Sequence, residues 1–172
     1  MEDDQADAWV GAAMEQYEDR LLRYACHFVH DLELARDIVQ DTFLKLCREP
    51  DPEVRSRLGP WLFTVCRNRA IDVCRKENRM KVAPEYELEA GRVASSESSN
   101  PAVAVEKTMA AQQVMQCVSG LPDRQQEIIR LKFHGGLTYR EIAEVMELSV
   151  SNVGVILHSA IGKLRKQMGG EV

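Results

Sequence analysis

Asn68, Asp72 and Arg75 stand four and three residues apart, flanked by Arg67, Arg69, Lys76 and Arg79. At helical pitch this spacing sets them along a polar, mostly basic side. Guanidinium and ammonium groups neutralise phosphates, and an Asn amide can exchange paired hydrogen bonds with a base edge. The chemistry such a side offers is nucleic-acid binding. Arg55 and Arg57 extend the cluster upstream: residues 55–81 hold eight basic and two acidic groups, net +6, more than a solvated helix face needs. Trp61 and Phe63 could stack on unpaired bases. At the start of an amphipathic helix they read more readily as core.

A second stretch with binding chemistry runs from Leu137 to Met168. Thr138 suits the N-cap of a helix, and Glu141, three residues on, completes a capping box. Ile142, Ala143, Val145 and Met146 give that helix a short apolar face. Glu147-Leu148-Ser149 reads as a tight turn, with Ser149 capping a second helix. In this helix Val150, Val153, Leu157, Ala160, Leu164 and Met168 recur at steps of three and four and fall on one stripe. Two helices joined by a short turn, apolar inside and polar outside, suit the major groove of DNA.

These stretches need a scaffold, and the rest of the 172 residues supplies one. Trp9, Ala13, Tyr17, Leu21, Tyr24 and Phe28 predict an amphipathic helix over 6–29. Asp31 caps a second helix to about Arg48, with Ile38, Val39, Thr42, Phe43 and Leu46 inward. The prolines of Glu49-Pro50-Asp51-Pro52 predict a turn, followed by loop to Gly59. Pro60 then suits the first position of the basic helix. Residues 82–108 are acidic, rich in Ser, Ala and Gly, without periodicity, and read as a flexible linker. Helix resumes from about Ala102 to Ser119. Another helix opens at Asp123 and ends at Gly135-Gly136.

The reading is therefore all-α: two small helical domains, 6–81 and 109–168, tethered by the linker 82–108. Net charge is −5, but residues 1–54 carry five basic and 14 acidic groups. An acidic surface beside a basic one suits a protein partner next to a nucleic acid. The N-terminus is acidic and is not read as a signal peptide, and no apolar run reaches about 18 residues, so a cytoplasmic protein without membrane insertion is expected. The odd number of cysteines, 26, 47, 66, 74 and 117, reads as buried small apolar residues. Cys26, His27 and His30 lack paired ligand spacing, so no metal is expected. No phosphate-binding loop or nucleophile–base set is present, so neither a cofactor nor enzymatic activity is indicated.

Taken together, DLELARDIVQDTFLKL, GPWLFTVCRNRAIDVCRKENR and LPDRQQEIIRLKFHGGLTYREIAEVMELSVSNVGVILHSAIGKLRK resemble the extracytoplasmic-function RNA polymerase sigma factors. The resemblance covers nearly the whole chain. It implies a first domain like sigma region 2, with Asp37, Gln40, Asp41 and Phe43 where the family meets the β′ clamp helices of core polymerase. The helix from Trp61 and the loop before it fall where the −10 element is read and opened. Arg55, Arg57, Arg67, Asn68, Asp72, Arg75, Lys76 and Arg79 are the candidate contacts there. The second domain resembles region 4, which holds the −35 element and touches the β flap. An anti-sigma factor is a further partner the family implies, and the chain is expected to be a monomer when free.

The recognition helix departs from the family pattern. Gly154, Ile156, Ser159 and Ile161 occupy positions that are commonly basic, and only His158 is kept. Positive charge is deferred to Lys163, Arg165 and Lys166. Ser151, Asn152, Val155 and His158 are the candidate base readers. Thr138, Tyr139 and Arg140 would hold phosphates. Fewer basic groups imply weaker, less salt-dependent binding.

Overall fold

The structure, a computed structural model, describes residues 2–48, 51–80 and 111–169. Three helices dominate the first half: α1 (Glu2–Val29), α2 (Leu32–Arg48) and α4 (Leu58–Met80), with the short α3 (Pro52–Ser56) between the last two. The second half holds α5 (described over 111–119), α6 (Asp123–Phe133), α7 (Tyr139–Met146) and α8 (Val150–Met168). The linker expected over 82–108, and the helix expected from about Ala102 as far as 110, lie outside the described residues.

The first domain is a bundle of α1, α2 and α4, each packed on the other two. Leu21, Tyr24, Ile38, Leu46, Leu62 and Phe63 are fully buried at its centre. Burying each such large side chain contributes roughly 1.5–3 kcal/mol, which is what holds three short-looped helices together. The α1–α2 corner turns at His30, in the left-handed region at φ 52°, and the Asp31 carboxylate accepts from the Leu34 N–H at 2.9 Å.

Two expectations are corrected here. The segment after Pro52 is not loop throughout. The Asp51 carboxylate accepts from the Glu53 N–H, Pro52 takes the first position where it loses no hydrogen bond, and one short helix forms. The next helix starts at Leu58, two residues before Pro60, because Arg57 C=O accepts from the Trp61 N–H. Val65, Ile71 and Val73 on this helix are half-buried.

In the second domain α8 packs against both α6 and α7. Thr138 caps α7 as expected: its hydroxyl accepts from the Glu141 N–H, and Glu141 accepts from the Thr138 N–H at 2.7 Å. The turn into α8 passes through Glu147 at φ 53°, and Ser149 caps α8 by accepting from the Asn152 N–H. The α8 stripe is buried at Val153, Leu157 and Ala160, whereas Val150 and Met168, its first and last residues, are exposed.

The two domains touch. α4 packs against α7. Gly59 sits against Tyr17 and Leu137, and Gly135 against the tip of the Phe63 ring. Gly135 has no room for a side chain: a Cβ there would lie 2.6 Å from the Leu131 carbonyl oxygen. Gly136, at φ +66°, turns the chain from α6 toward α7. Among the described residues no single helix is long and apolar enough to cross a membrane.

Candidate nucleic-acid interface

On α2, burial of Ala35, Ile38, Val39, Thr42 and Leu46 turns Asp37, Gln40 and Asp41 outward as an exposed acidic edge. Phe43 is corrected as a polymerase contact: it is 4% exposed and lies in the core, where the helical spacing put it, so it shapes this edge from beneath rather than meeting a partner. Arg36 and Glu33 pair one turn earlier at 2.9 Å.

α4 lies beside α2, and the two helices form a shallow cleft of about 220 Å³ lined by Asp41, Thr42, Lys45, Val65, Asn68, Arg69 and Asp72. Arg69 Nε donates to the Asp41 carboxylate at 2.8 Å. The acidic edge of one helix and the polar side of the other therefore meet at one place. Asn68, Asp72, Arg75, Lys76 and Arg79 are all exposed, the last three continuing the basic side beyond the cleft. Trp61 is half-buried and Phe63 fully buried, so Phe63 cannot stack on a base.

The remaining basic candidates point elsewhere. Arg55 lies over the Trp9 ring, 4.6 Å from its centroid. Arg57 pairs with Glu144 of α7 at 3.6 Å. Arg67 donates through Nε to Glu127 of α6 at 2.6 Å, and Tyr24 donates to the same carboxylate oxygen at 2.7 Å. Burial alone would make the Arg67 guanidinium easier to deprotonate, but Glu127 outweighs it and holds the charge more firmly than usual. Burial, with Glu127 beside it, pushes the Tyr24 phenol well above its ordinary value. No local pattern announces Tyr24 or Glu127 as partners, since they are 103 residues apart.

The helix-turn-helix presents its candidates openly. Thr138, Tyr139 and Arg140 are exposed at the start of α7, and Ser151, Asn152, Val155 and His158 along one side of α8. Val155 is 67% exposed, unusual for a β-branched apolar side chain in a helix and suited to a thymine methyl. Arg165 and Lys166 are exposed, and Lys163 reaches back to Gln125 at 3.2 Å. Gly154 lies beneath the Tyr139 ring.

The cysteines are only partly as expected. Cys66 is buried, which pushes its thiol up to about 12. Cys26, Cys74 and Cys117 are half-buried, and Cys47 is exposed because it falls on the outer side of α2.

Comparison with known proteins bears on both halves. Residues 13–80 match the family model for Sigma-70 region 2, and residues 111–164 match that for Sigma-70, region 4. The chain is 28% identical over 154 residues to the RNA polymerase sigma factor YlaC of Bacillus subtilis, covering 89% of this chain and 88% of that one. It is 28% identical over 151 residues to the ECF RNA polymerase sigma factor SigM of the same organism, covering 88% and 90%. Among solved structures, the sigma factor RpoE in complex with the anti-sigma factor NepR, from Bartonella quintana, shares the fold. The TM-score is 0.69 at 22% identity, over 94% of this chain and 98% of that one.

Proposed function

We propose that this chain, which belongs to the extracytoplasmic-function family of RNA polymerase sigma factors, binds core polymerase and directs transcription initiation at promoters it recognises through −10 and −35 elements. The convergence of the α2 acidic edge and the α4 polar side on one cleft carries this reading. It lets the polymerase contact and the strand-opening contact lie side by side. Asp37, Gln40 and Asp41 meet the β′ clamp helices. Asn68, Asp72, Arg75, Lys76 and Arg79, with Arg55, Arg57 and Arg67, serve the −10 element. The exposed sides of α7 and α8 serve the −35 element, and the domain that carries them meets the β flap. Residues 6–81 act as the region 2 unit, 109–168 as the region 4 unit and 82–108 as the tether.

The mechanism needs no reacting group. Extruding a base costs a few kcal/mol, least for bases that are weakly paired. A site that binds the unpaired base more tightly than the duplex holds it shifts the equilibrium toward open DNA. Asn68 supplies both a donor and an acceptor for a base edge at such a site, and the neighbouring cations hold the strand. Two weak DNA contacts fixed on one polymerase gain from effective concentration. The net −9 of residues 1–54 disfavours free DNA and favours basic groups on polymerase. The likeness to RpoE, solved with NepR, supports an anti-sigma factor as a further partner. The free chain is a cytoplasmic monomer.

Reconstitution tests this. Purified chain added to core polymerase should form a stable complex and yield transcripts from promoters selected out of a random-sequence library. Failure to bind core overturns the proposal. Binding without promoter-specific transcription removes the DNA half of it.

A further inference from the structure

We infer that the cleft between α5, α6 and α8 of the second domain binds a small amphiphilic carboxylate, an acyl or aryl acid whose anionic head Arg130 holds. The inference is independent of the proposed function, since it uses neither the polymerase nor the DNA contacts.

The cleft measures about 410 Å³, within the range that takes small organic ligands. Three helices build its walls. Val114 and Val118 come from α5, Ile129 and Phe133 from α6, Ile161 and Leu164 from α8. Each pair stands three or four residues apart, so each helix turns one apolar strip to the same place. Phe133 lines the cleft yet is 63% exposed, a large ring that the fold leaves uncovered. Such walls suit a hydrocarbon or aromatic body better than a sugar.

Two polar groups interrupt these walls. Arg130 and His134, one turn apart on α6, line the same cleft. Arg130 is 8% exposed, and its Nε has no hydrogen-bond partner among the described residues; the same holds for His134 Nδ1. Burial makes the Arg130 guanidinium easier to deprotonate than an ordinary one, and no carboxylate opposes that. The other groups that act on this corner are basic as well. His134 is pulled down by burial, Arg130 and Arg23, and His27 of α1 by burial, Arg130, His30 and His134. The Glu127 carboxylate, one turn back on α6, is committed to Tyr24 and Arg67. Arg165, the third basic group along the cleft, is exposed.

A buried cation destabilises a fold unless an anion meets it, and this corner holds donors with no acceptor. A carboxylate completes it, because the guanidinium fork gives it two parallel hydrogen bonds. His134, kept neutral by burial, adds a third from its Nδ1–H tautomer. One buried positive charge then meets one negative charge, which favours a carboxylate over a phosphate dianion.

The test uses the full chain and decanoate as the probe, below its micelle concentration, with decanol and decylamine as controls. In two-dimensional NMR, decanoate should shift the Arg130 Nε–H signal and the amides of Ile129, Phe133 and Leu164 along a saturable curve. Decanol and decylamine should bind about ten-fold more weakly or worse, because they lack the anion. Decanoate should also raise the thermal midpoint of the wild-type chain. Arg130→Met keeps the length of the side chain and removes the charge. It should hold or raise the midpoint without ligand, since no unpaired buried cation remains, and lose decanoate affinity by about ten-fold or more. Ile161→Trp, at a half-buried wall position, should fill the cleft and block binding with Arg130 in place. Equal affinity for decanoate and decanol, undiminished decanoate binding in both variants, or shifts that never saturate would overturn the site.

Discussion

The Asp41 carboxylate on α2 and the Arg69 guanidinium on α4 form an ion pair at 2.8 Å, with both side chains about half exposed. The pair ties the acidic edge to the polar side of α4, but water competes for it, so it contributes no more than about 1 kcal/mol to stability. Arg69→Ala should therefore lower the thermal midpoint by only a few degrees. Asp37→Arg combined with Asp41→Arg, which loses this exposed pair, should cost the fold only about 1 kcal/mol yet weaken binding to core polymerase about ten-fold or more, since basic groups on a partner would meet repulsion. Core titration with a fluorescently labelled chain reads the difference, and unchanged affinity counts against the α2 edge as the polymerase contact.

The capping box gives a stability prediction that can be separated from DNA binding. Thr138 satisfies the Glu141 N–H and Glu141 satisfies the Thr138 N–H, two donors that α7 otherwise leaves unpaired. Thr138→Ala should destabilise the second domain by about 1 kcal/mol, whereas Thr138→Ser, which keeps the hydroxyl, should recover most of it. Differential scanning calorimetry of the three chains checks the order. Equal midpoints for Thr138→Ala and wild type would show that the box does not hold this helix end.

That box was legible in the sequence because caps are local: three residues determine it. The α2 core face and the helix-turn-helix were legible for the same reason, since side chains at steps of three and four must share a face. What the sequence did not carry was long-range pairing. Arg67 reads as a phosphate contact from its neighbours Asn68 and Arg69, but the residue it touches is 60 positions away, across the linker. The helical spacing of α2 puts Phe43 inward, and only the family resemblance puts it at the polymerase contact; packing sides with the spacing. The helix at Pro52–Ser56 was missed because two nearby prolines signal a turn, while the Asp51 cap that starts the helix is a one-residue signal.

His27 makes stability depend on pH. Burial pulls its imidazole down to about 4, and Arg130, His30 and His134 act in the same direction. In the unfolded chain it titrates near 6.5. As pH falls through 6.5 the unfolded chain takes the proton first, so stability is fully present above about 6.5 and is lost progressively down to about 4. His134, also lowered by burial, adds in the same sense. Thermal midpoints between pH 7 and 4.5 should fall more steeply for wild type than for His27→Leu, with carboxylate contributions cancelling in the difference. Parallel curves would remove His27 as the source.

Gly154 lets the recognition helix be tested for what its glycine does. A Cβ there would lie 3.8 and 4.0 Å from two carbons of the Tyr139 ring, an ordinary contact, and the backbone is helical. Nothing in the fold therefore requires glycine, which costs a helix interior about 1 kcal/mol relative to alanine. Gly154→Ala should raise the stability of the second domain by roughly 0.5–1 kcal/mol. If the same position serves close approach to the DNA backbone, the stabilised variant should bind a −35 duplex more weakly. Ser159→Arg provides the complementary change by placing charge on an exposed position of α8. It should strengthen duplex binding and steepen the salt dependence by about one phosphate contact. Measured together by anisotropy over a salt series, a stabilised Gly154→Ala with undiminished DNA affinity would assign the glycine no role in recognition. A Ser159→Arg chain with an unchanged salt slope would show that this side of α8 does not face DNA.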